Sequence, residues 1–379
     1  MKQKVHSYKS WIEISERALL NNLGVFQTFV GRNTEVLCVL KANAYGHGLK
    51  EVATILRNHT WFGVDSVDEA CIVKTINPKA SVLVMGYIPL SRLKEVITNE
   101  ISFVVYTMET LEKVRELDLK KKAKIHIKIE TGLNRQGVSG EKLIELLHSI
   151  HESKKHFYVE GILTHFAEVR DDLNSDFTKR QLKFFRNSIS TVEMHGIIPP
   201  FIHCAATGSL ALYHESHFTL VRLGIGLYGF YPSNEIAKKT AGKIPALMPV
   251  LSWKSIVAQI KEVQIGESVG YGRTWTAERL SKIAVVPVGY ADGYDRRLSN
   301  NGRVLVHDQP VPVIGRVSMN MLTIDVTDVP QVHVEDTVIL IGEDGSNNIT
   351  VDELAERMGT IQHEVLARIN PNIPRVVVP

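Results

Sequence analysis

The chain has 379 residues, long for one domain and comfortable for two, and 44% of them are hydrophobic, enough to fill large cores. Its 44 Lys and Arg against 41 Asp and Glu leave a formal net charge of +3, which gives no electrostatic reason to expect a nucleic-acid or membrane-surface partner. The opening MKQKVHSYKSWIEIS lacks the apolar core of a signal peptide and no run is long enough to cross a bilayer, so a cytosolic location is expected. Cys38, Cys71 and Cys204 are isolated and odd in number, which fits reduced thiols rather than a disulfide framework or a zinc site, and no metal is expected.

In chain order, a strand at WIEIS and a helix at ERALLNNLGVFQTFV precede eight β-rich runs: EVLCVLKA, WFGVDS, SVLVMGY, SFVVYT, KIHIKIE, VEGILTHF, FIHCAAT and LVRLGIGLY. The segments between them carry helical spacing. Leu49, Val52, Ala53 and Leu56 share a face, as do Leu182, Phe185 and Ile189. This alternation predicts a (β/α)8 barrel of TIM type over residues 1–240, with a doubly wound sheet as the alternative. After IPALMPV the chain reads as successive strands and turns: SIVAQIKEV, KIAVVPVGYADGY, RVLVHDQPVPVIG, MLTIDVTDV and DTVILIG, with one clear helix at TVDELAERMG. Residues 241–379 are therefore expected to form a mostly β C-terminal domain, with which the first residues, up to Ile12, are expected to pair.

Barrel active sites collect at the C-terminal ends of the strands. Lys41 ends the first barrel strand, behind five apolar residues, and a small flexible turn follows. A lysine there either reaches solvent at the strand's edge or is an amine whose lowered pKa suits it to covalent chemistry. Lys128 ends the fifth strand, His165 the sixth and Thr207 the seventh, with Arg222 on the eighth. In KIHIKIE the isoleucines alternate with Lys124, His126, Lys128 and Glu130, so the helix-facing side is apolar and the polar set points inward. An interior ion-pair network is the structural explanation and a site is the functional one. GIGLYG, Gly224 to Gly229, matches the dinucleotide fingerprint, but Pro232 and Ser233 argue against the helix that must follow it. The same glycines suit a smaller phosphorylated cofactor, as barrels often hold phosphate after strands seven and eight.

Seven motifs, VLKANAYGHG, KIETGLNRQG, THFAE, VRLGIGLYG, GESVGYGRTW, VGYADGY and IGRVSMN, stand in the order found in alanine racemases, which the chain resembles over nearly its whole length. The resemblance implies a pyridoxal 5′-phosphate enzyme that interconverts L- and D-alanine, supplies D-alanine for peptidoglycan, and works as a homodimer with shared active sites. It makes Lys41 the Schiff-base lysine and one catalytic base, and Tyr271 the second base, reaching the site from the neighbouring subunit. It makes Tyr45 and Thr207 phosphate ligands, with backbone donors at Gly224 and Ile225. Arg222 corresponds to the arginine at the pyridine nitrogen, and His165 to the histidine between that arginine and the tyrosine. Arg135 corresponds to the arginine that meets the cofactor phenolate and substrate carboxylate, and Lys128 to a lysine often carbamylated to hold it. Met319 is a carboxylate contact, and Asn320 stands beside it where the family usually has aspartate. Two other departures are Ala206, in place of an amide, and Pro371, where some members have a tyrosine. These leave a serine or broader-specificity racemase as the main alternative. A fold-related amino-acid decarboxylase is disfavoured by Arg222, and a single-barrel cofactor-binding protein would end near residue 240 and lack Tyr271.

Overall fold

The computed structural model describes residues 7–169 and 175–379, so residues 1–6 of the expected first domain and residues 170–174 lie outside the described residues. Two compact units form. One takes Leu19–Ala42 and Val52–Met248; the other takes the chain up to Ala18, Asn43–Glu51 and Pro249–Pro379.

Strand β1 (Ser10–Ser15) and a helix at Glu16–Val30 precede eight parallel strands: β2 (Glu35–Val39), β3 (Trp61–Val64), β4 (Ser81–Val84), β5 (Ser102–Val105), β6 (Ala123–Lys128), β7 (Phe157–Leu163), β8 (Phe201–His203) and β9 (Leu220–Leu223). Each overlaps its run read from the sequence, although β6 begins one residue earlier, at Ala123, and β7 two residues earlier, at Phe157. Their spatial order is β8-β7-β6-β5-β4-β3-β2-β9. A doubly wound sheet would reverse its order at a switch point. Here the order runs in single file and its two ends are joined by a bridge between Ala206 and Arg222, so the sheet is a nearly closed barrel. Every residue of WFGV in β3 and SFVV in β5 is buried, as expected for strands covered on both faces. The outer helices bury one stripe each. Glu141–Glu152 buries Leu143, Leu146, Leu147 and Ile150, and Asp176–Met194 buries Leu182, Phe185, Ile189 and Val192. Each such side chain contributes about 1.5–3 kcal/mol.

In the other unit, nine strands follow the order β11-β14-β17-β16-β15-β18-β10-β1-β20 and β19 pairs with β18. They are β10 (Leu251–Ile256), β11 (Gln259–Val263), β14 (Ser281–Val286), β15 (Arg303–Val306), β16 (Gln309–Ile314), β17 (Leu322–Asp325), β18 (Thr337–Asp344), β19 (Asn347–Ile349) and β20 (Arg375–Val378), besides β1. A two-stranded ribbon, β12 (Ser268–Val269) with β13 (Trp275–Thr276), stands apart. β1 pairs antiparallel with β10 and parallel with β20, and the indole of Trp253 donates to Ser10 Oγ at 2.9 Å. SIVAQIKEV, read as one strand, is two, because β10 pairs with β1 and β18 whereas β11 pairs with β14. RVLVHDQPVPVIG is the β15/β16 hairpin, turning through His307 and Asp308 at φ 50° and 59°, the two-residue geometry that matches strand twist. Besides the expected helix Val351–Met358, a second lies at Gln362–Ala367.

Candidate active site

Lys41 begins a turn that no composition rule announces. Ala42, Asn43, Ala44 and Tyr45 have φ of 54°, 55°, 54° and 52°, one turn of left-handed helix. L-residues other than glycine lose about 1–2 kcal/mol each in this conformation, so the surroundings must impose it. Asn43 Oδ1 accepts from Leu49 N at 2.8 Å and its carbonyl accepts from Gly48 N at 3.0 Å. At Gly46 a Cβ would lie 2.0 Å from the Leu366 carbonyl oxygen, so only glycine fits there, and Arg375 donates to the Gly46 carbonyl at 2.8 Å. The Tyr45 ring lies 5.9 Å from that of His363, and burial pushes the Tyr45 phenol up to about 12, keeping it a neutral donor. Relief of strain is testable at the exposed Ala42. Ala42→Gly is expected to stabilise the fold by about 0.5–1 kcal/mol in urea titrations, the left-handed cost minus the extra unfolded-chain entropy of glycine. An unchanged or lowered stability would show that the turn is not strained at this residue.

Arg222 is the most tightly held cation of the barrel. It is 4% exposed. Nη1 donates to His203 Nδ1 at 2.8 Å and to the His203 carbonyl at 3.1 Å; Nη2 donates to the carbonyls of Thr164 and Cys204 at 2.8 and 3.0 Å and meets His165 Nδ1 at 3.2 Å. Burial lowers its pKa to about 10, still charged at neutral pH. Both terminal nitrogens are thus fixed by the protein, while Nε has no bonded partner among the described residues. Burial and the fields of Arg222, Arg135, Lys128 and Lys41 hold His165 well below the ordinary histidine range, so its imidazole is neutral. Four cations acting on one imidazole make this end of the barrel a place for anions.

Lys128, the last residue of β6, is buried and donates to Gln136 Oε1 at 2.9 Å, and the Gln136 amide donates to the Tyr106 hydroxyl at 3.0 Å. Burial, with Arg135 and Arg222 nearby, lowers its pKa to about 8. Arg135 is exposed on the following loop, whose shape comes from the Glu130 carboxylate accepting from the Gly132 and Arg135 backbones. The alternation read in KIHIKIE holds: Ile125, Ile127 and Ile129 are buried and His126 lies inside with Lys128.

Thr207 is not on β8, which stops at His203; it opens the next helix, Thr207–Leu212. Its Oγ1 accepts from Gly224 N at 3.3 Å and Gly226 N at 3.2 Å, leaving the hydroxyl proton to donate outward. A Cβ on Gly226 would lie 2.7 Å from Thr207 Cγ2 and 2.8 Å from the Phe26 ring, so the cradle needs glycine there. Gly226 was absent from the sequence-based set; its place in the glycine motif was the available signal. Ile225 is buried at the start of a short 3-10 turn, Ile225–Tyr228, and the Tyr228 hydroxyl donates to the Val39 carbonyl at 2.9 Å, joining this loop to the end of β2. The helix argued against after GIGLYG does exist, but as Asn234–Thr240 beyond Pro232, too late to carry a phosphate bound by the glycines.

In the β unit, Tyr271 begins a 3-10 turn at the tip of the β12/β13 ribbon and is 72% exposed. The ribbon is pinned: Val269 packs with Val263, Ala277, Ile283 and Ile314, and Asn300 donates to Thr274 Oγ1 at 3.1 Å while accepting from Gly315 N at 2.6 Å. Met319 is 57% exposed. VGYADGY and IGRVSMN come together, with Tyr290 N and Ala291 N donating to the carbonyls of Ser318 and Met319 at 3.0 and 2.9 Å. The Asn320 amide donates to Asp292 Oδ2 at 3.4 Å, where an aspartate would set two carboxylates side by side. Among the described residues no helix is long and apolar enough to cross a membrane, and no group of His, Cys, Asp and Glu could hold a metal ion.

Cationic and polar side chains gather at the C-terminal ends of the parallel barrel strands, around a caged guanidinium and a hydroxyl-glycine cradle, which is where barrel enzymes place their sites. Residues 14–232 match the family model described as alanine racemase, N-terminal domain, and residues 250–377 that of the C-terminal domain. The chain belongs to the alanine racemase family, a family of isomerases. It is 37% identical to the alanine racemase of Leptospira interrogans, covering 98% of this chain and 96% of that protein, and 35% identical to that of Methanococcus maripaludis, covering 98% and 99%. The structure of the Bacillus anthracis alanine racemase with bound L-Ala-P is similar at a TM-score of 0.91 and 31% identity, covering 98% of this chain and 95% of that one. The decarboxylase, the single-barrel protein and the broader-specificity racemase are not favoured by these relatives.

Proposed function

We propose that the chain interconverts L- and D-alanine with pyridoxal 5′-phosphate as cofactor, with Lys41 and Tyr271 as bases on opposite faces of the substrate. The observation that carries this reading is the arrangement around Arg222: both terminal nitrogens are spent on protein acceptors and a neutral His165 stands beside them. The donor set fits the cofactor. Tyr45, Thr207 and the backbones of Gly224 and Ile225 would hold its phosphate, Arg222 would meet its ring nitrogen, and Arg135 its phenolate. When bound, the cofactor supplies the electron sink that makes an amino acid's α-proton removable. A guanidinium has no proton-accepting site, so Arg222 leaves that sink weaker than a carboxylate partner would, which limits side reactions such as transamination. Lys41 Nζ holds or returns the α-proton on one face. Tyr271 of the partner subunit does so on the other, which suits a phenol displayed on a pinned, exposed turn. Arg135 and Met319 orient the substrate carboxylate, with Asn320 beside them. The active species in this reading is a cytoplasmic homodimer with shared sites that supplies D-alanine for peptidoglycan. Chiral analysis of a panel of L-amino acids incubated with the purified protein and pyridoxal phosphate tests it: D-alanine is expected to form fastest, and its absence would end the reading.

Lys128 is proposed to be carbamylated. Its amine already has a pKa lowered to about 8, and only the neutral amine attacks carbon dioxide, giving an N-carboxylate and releasing one proton. The product would turn the repulsion from Arg135 into attraction. In carbon-13 NMR with labelled bicarbonate, a carbamate signal is expected that grows as pH rises through about 8 and is absent in Lys128→Ala. Equal signals in both proteins would refute the assignment.

A further inference from the structure

The charge of Arg222 is balanced at a distance. Among the described residues no carboxylate lies within ion-pair reach of it, yet a single line of hydrogen bonds leads from it to one. A guanidinium only donates, so the bond from Nη1 to His203 Nδ1 requires that nitrogen to be bare and places the His203 proton on Nε2. His203 Nε2 lies 2.9 Å from His126 Nδ1, which must accept, so His126 carries its proton on Nε2. That nitrogen lies 3.1 Å from Glu160 Oε2, and the Ser102 hydroxyl donates to the same oxygen. Every member is buried: His126 and His203 are 0% exposed, Ser102 2%, Arg222 4% and Glu160 7%. Protonating either imidazole a second time would set two donors against each other at 2.9 Å, or a ring N–H against Nη1, so both are neutral. The line passes through four strands, from Arg222 on β9 through His203 on β8 and His126 on β6 to Glu160 on β7.

We propose that Glu160, His126 and His203 are positioning residues: the carboxylate anchors a one-way chain of donors that fixes the tautomer of each imidazole and holds the Arg222 guanidinium in a single orientation, with Nε–H left for a ligand. Hydrogen bonds of one direction polarise one another in a low-dielectric interior, so the chain carries part of the negative charge of Glu160 to Arg222 without a direct ion pair. Lys74 and Lys124 also act on Glu160. On the other side of Arg222, Nη2 directs its two protons to the Thr164 and Cys204 carbonyls and lies 3.2 Å from His165 Nδ1. The consequence for catalysis rests on the assignment of Arg222 to the cofactor ring; the tautomers do not.

The test uses the full chain labelled with nitrogen-15 histidine, with and without pyridoxal phosphate, and reads each ring by proton–nitrogen correlation. His126 and His203 are expected as neutral rings protonated on Nε2. An imidazolium, or a proton on Nδ1 of either, would overturn the relay. In Glu160→Gln the His203 Nε2 proton is expected to exchange faster with water, and kcat for alanine to fall about tenfold with KM within about twofold. Unchanged exchange and kcat would overturn the positioning role. Should that variant fail to fold, Ser102→Ala weakens the same anchor and is read in the same way, with smaller shifts in the same directions. A wild-type protein with the expected tautomers but no racemase activity would support the relay while ending the reading of Arg222 as a racemase residue.

Discussion

Lys41→Ala is expected to slow racemisation in both directions by roughly a hundred- to ten-thousand-fold, the contribution of one general base. The loss must be symmetric. In a two-base reaction each enantiomer loses its proton to one residue and regains one from the other, so both directions use both residues. The expectation has a chemical companion: borohydride treatment of the yellow protein should join the cofactor to the peptide that carries Lys41. Attachment at Lys128 instead would preserve the barrel and overturn the mechanism. Mixing Lys41→Ala with Tyr271→Phe chains tests the shared site, because a hybrid dimer regains one site with both bases. Activity should return in part after subunit exchange, and its absence would argue for sites built within one chain.

Tyr271→Ala should produce a loss of the same order, roughly a hundred- to ten-thousand-fold, with a different signature. With Lys41 intact, the α-proton of one enantiomer should still exchange with solvent while the other exchanges little; the family resemblance makes the exchanging form D. Deuterium wash-in from heavy water, measured on each enantiomer by mass spectrometry, separates the two faces. Equal wash-in into both enantiomers without racemisation would assign the second base to another group. A phenol gives up its proton reluctantly, so a phenolate at this position needs a hydrogen-bond donor to stabilise it. His165, whose Nδ1 lies 3.2 Å from Arg222 Nη2, is the residue the family resemblance assigns to that task.

Strands such as β3 and β5 were legible because they are buried on both faces and read as continuous apolar runs, whereas β6 showed by its alternation. The inward placement of Lys128 followed from its alternation with Ile125, Ile127 and Ile129. What stayed hidden depends on partners far away in the chain. β20 pairs with β1 from the opposite end of the sequence, and no local pattern in RVVV records that register. The left-handed turn after Lys41 is written in Ala42, Asn43, Ala44 and Tyr45, of which only Asn43 favours such a backbone. His126 showed as inward-facing, but the partners His203 and Glu160 lie on other strands, and hydrogen bonds across a barrel leave no periodicity. Tyr271 carried no signal of its own beyond its motif; an exposed tyrosine on a turn is ordinary until something faces it.

The clamp on that turn also sets an order of events during synthesis. β2 and Lys41 leave the ribosome well before the groups that enclose the next residues, the Leu366 carbonyl against Gly46, the His363 ring beside Tyr45 and the Arg375 guanidinium on the Gly46 carbonyl; Arg375 and Gly46 are 329 positions apart. A nascent barrel lacking its C-terminal segment therefore has a lysine at the end of β2 but nothing to keep the following residues left-handed, and they should relax to the conformations that alanine and tyrosine prefer. The left-handed turn that follows Lys41 is therefore complete only once residues 363–375 have been made.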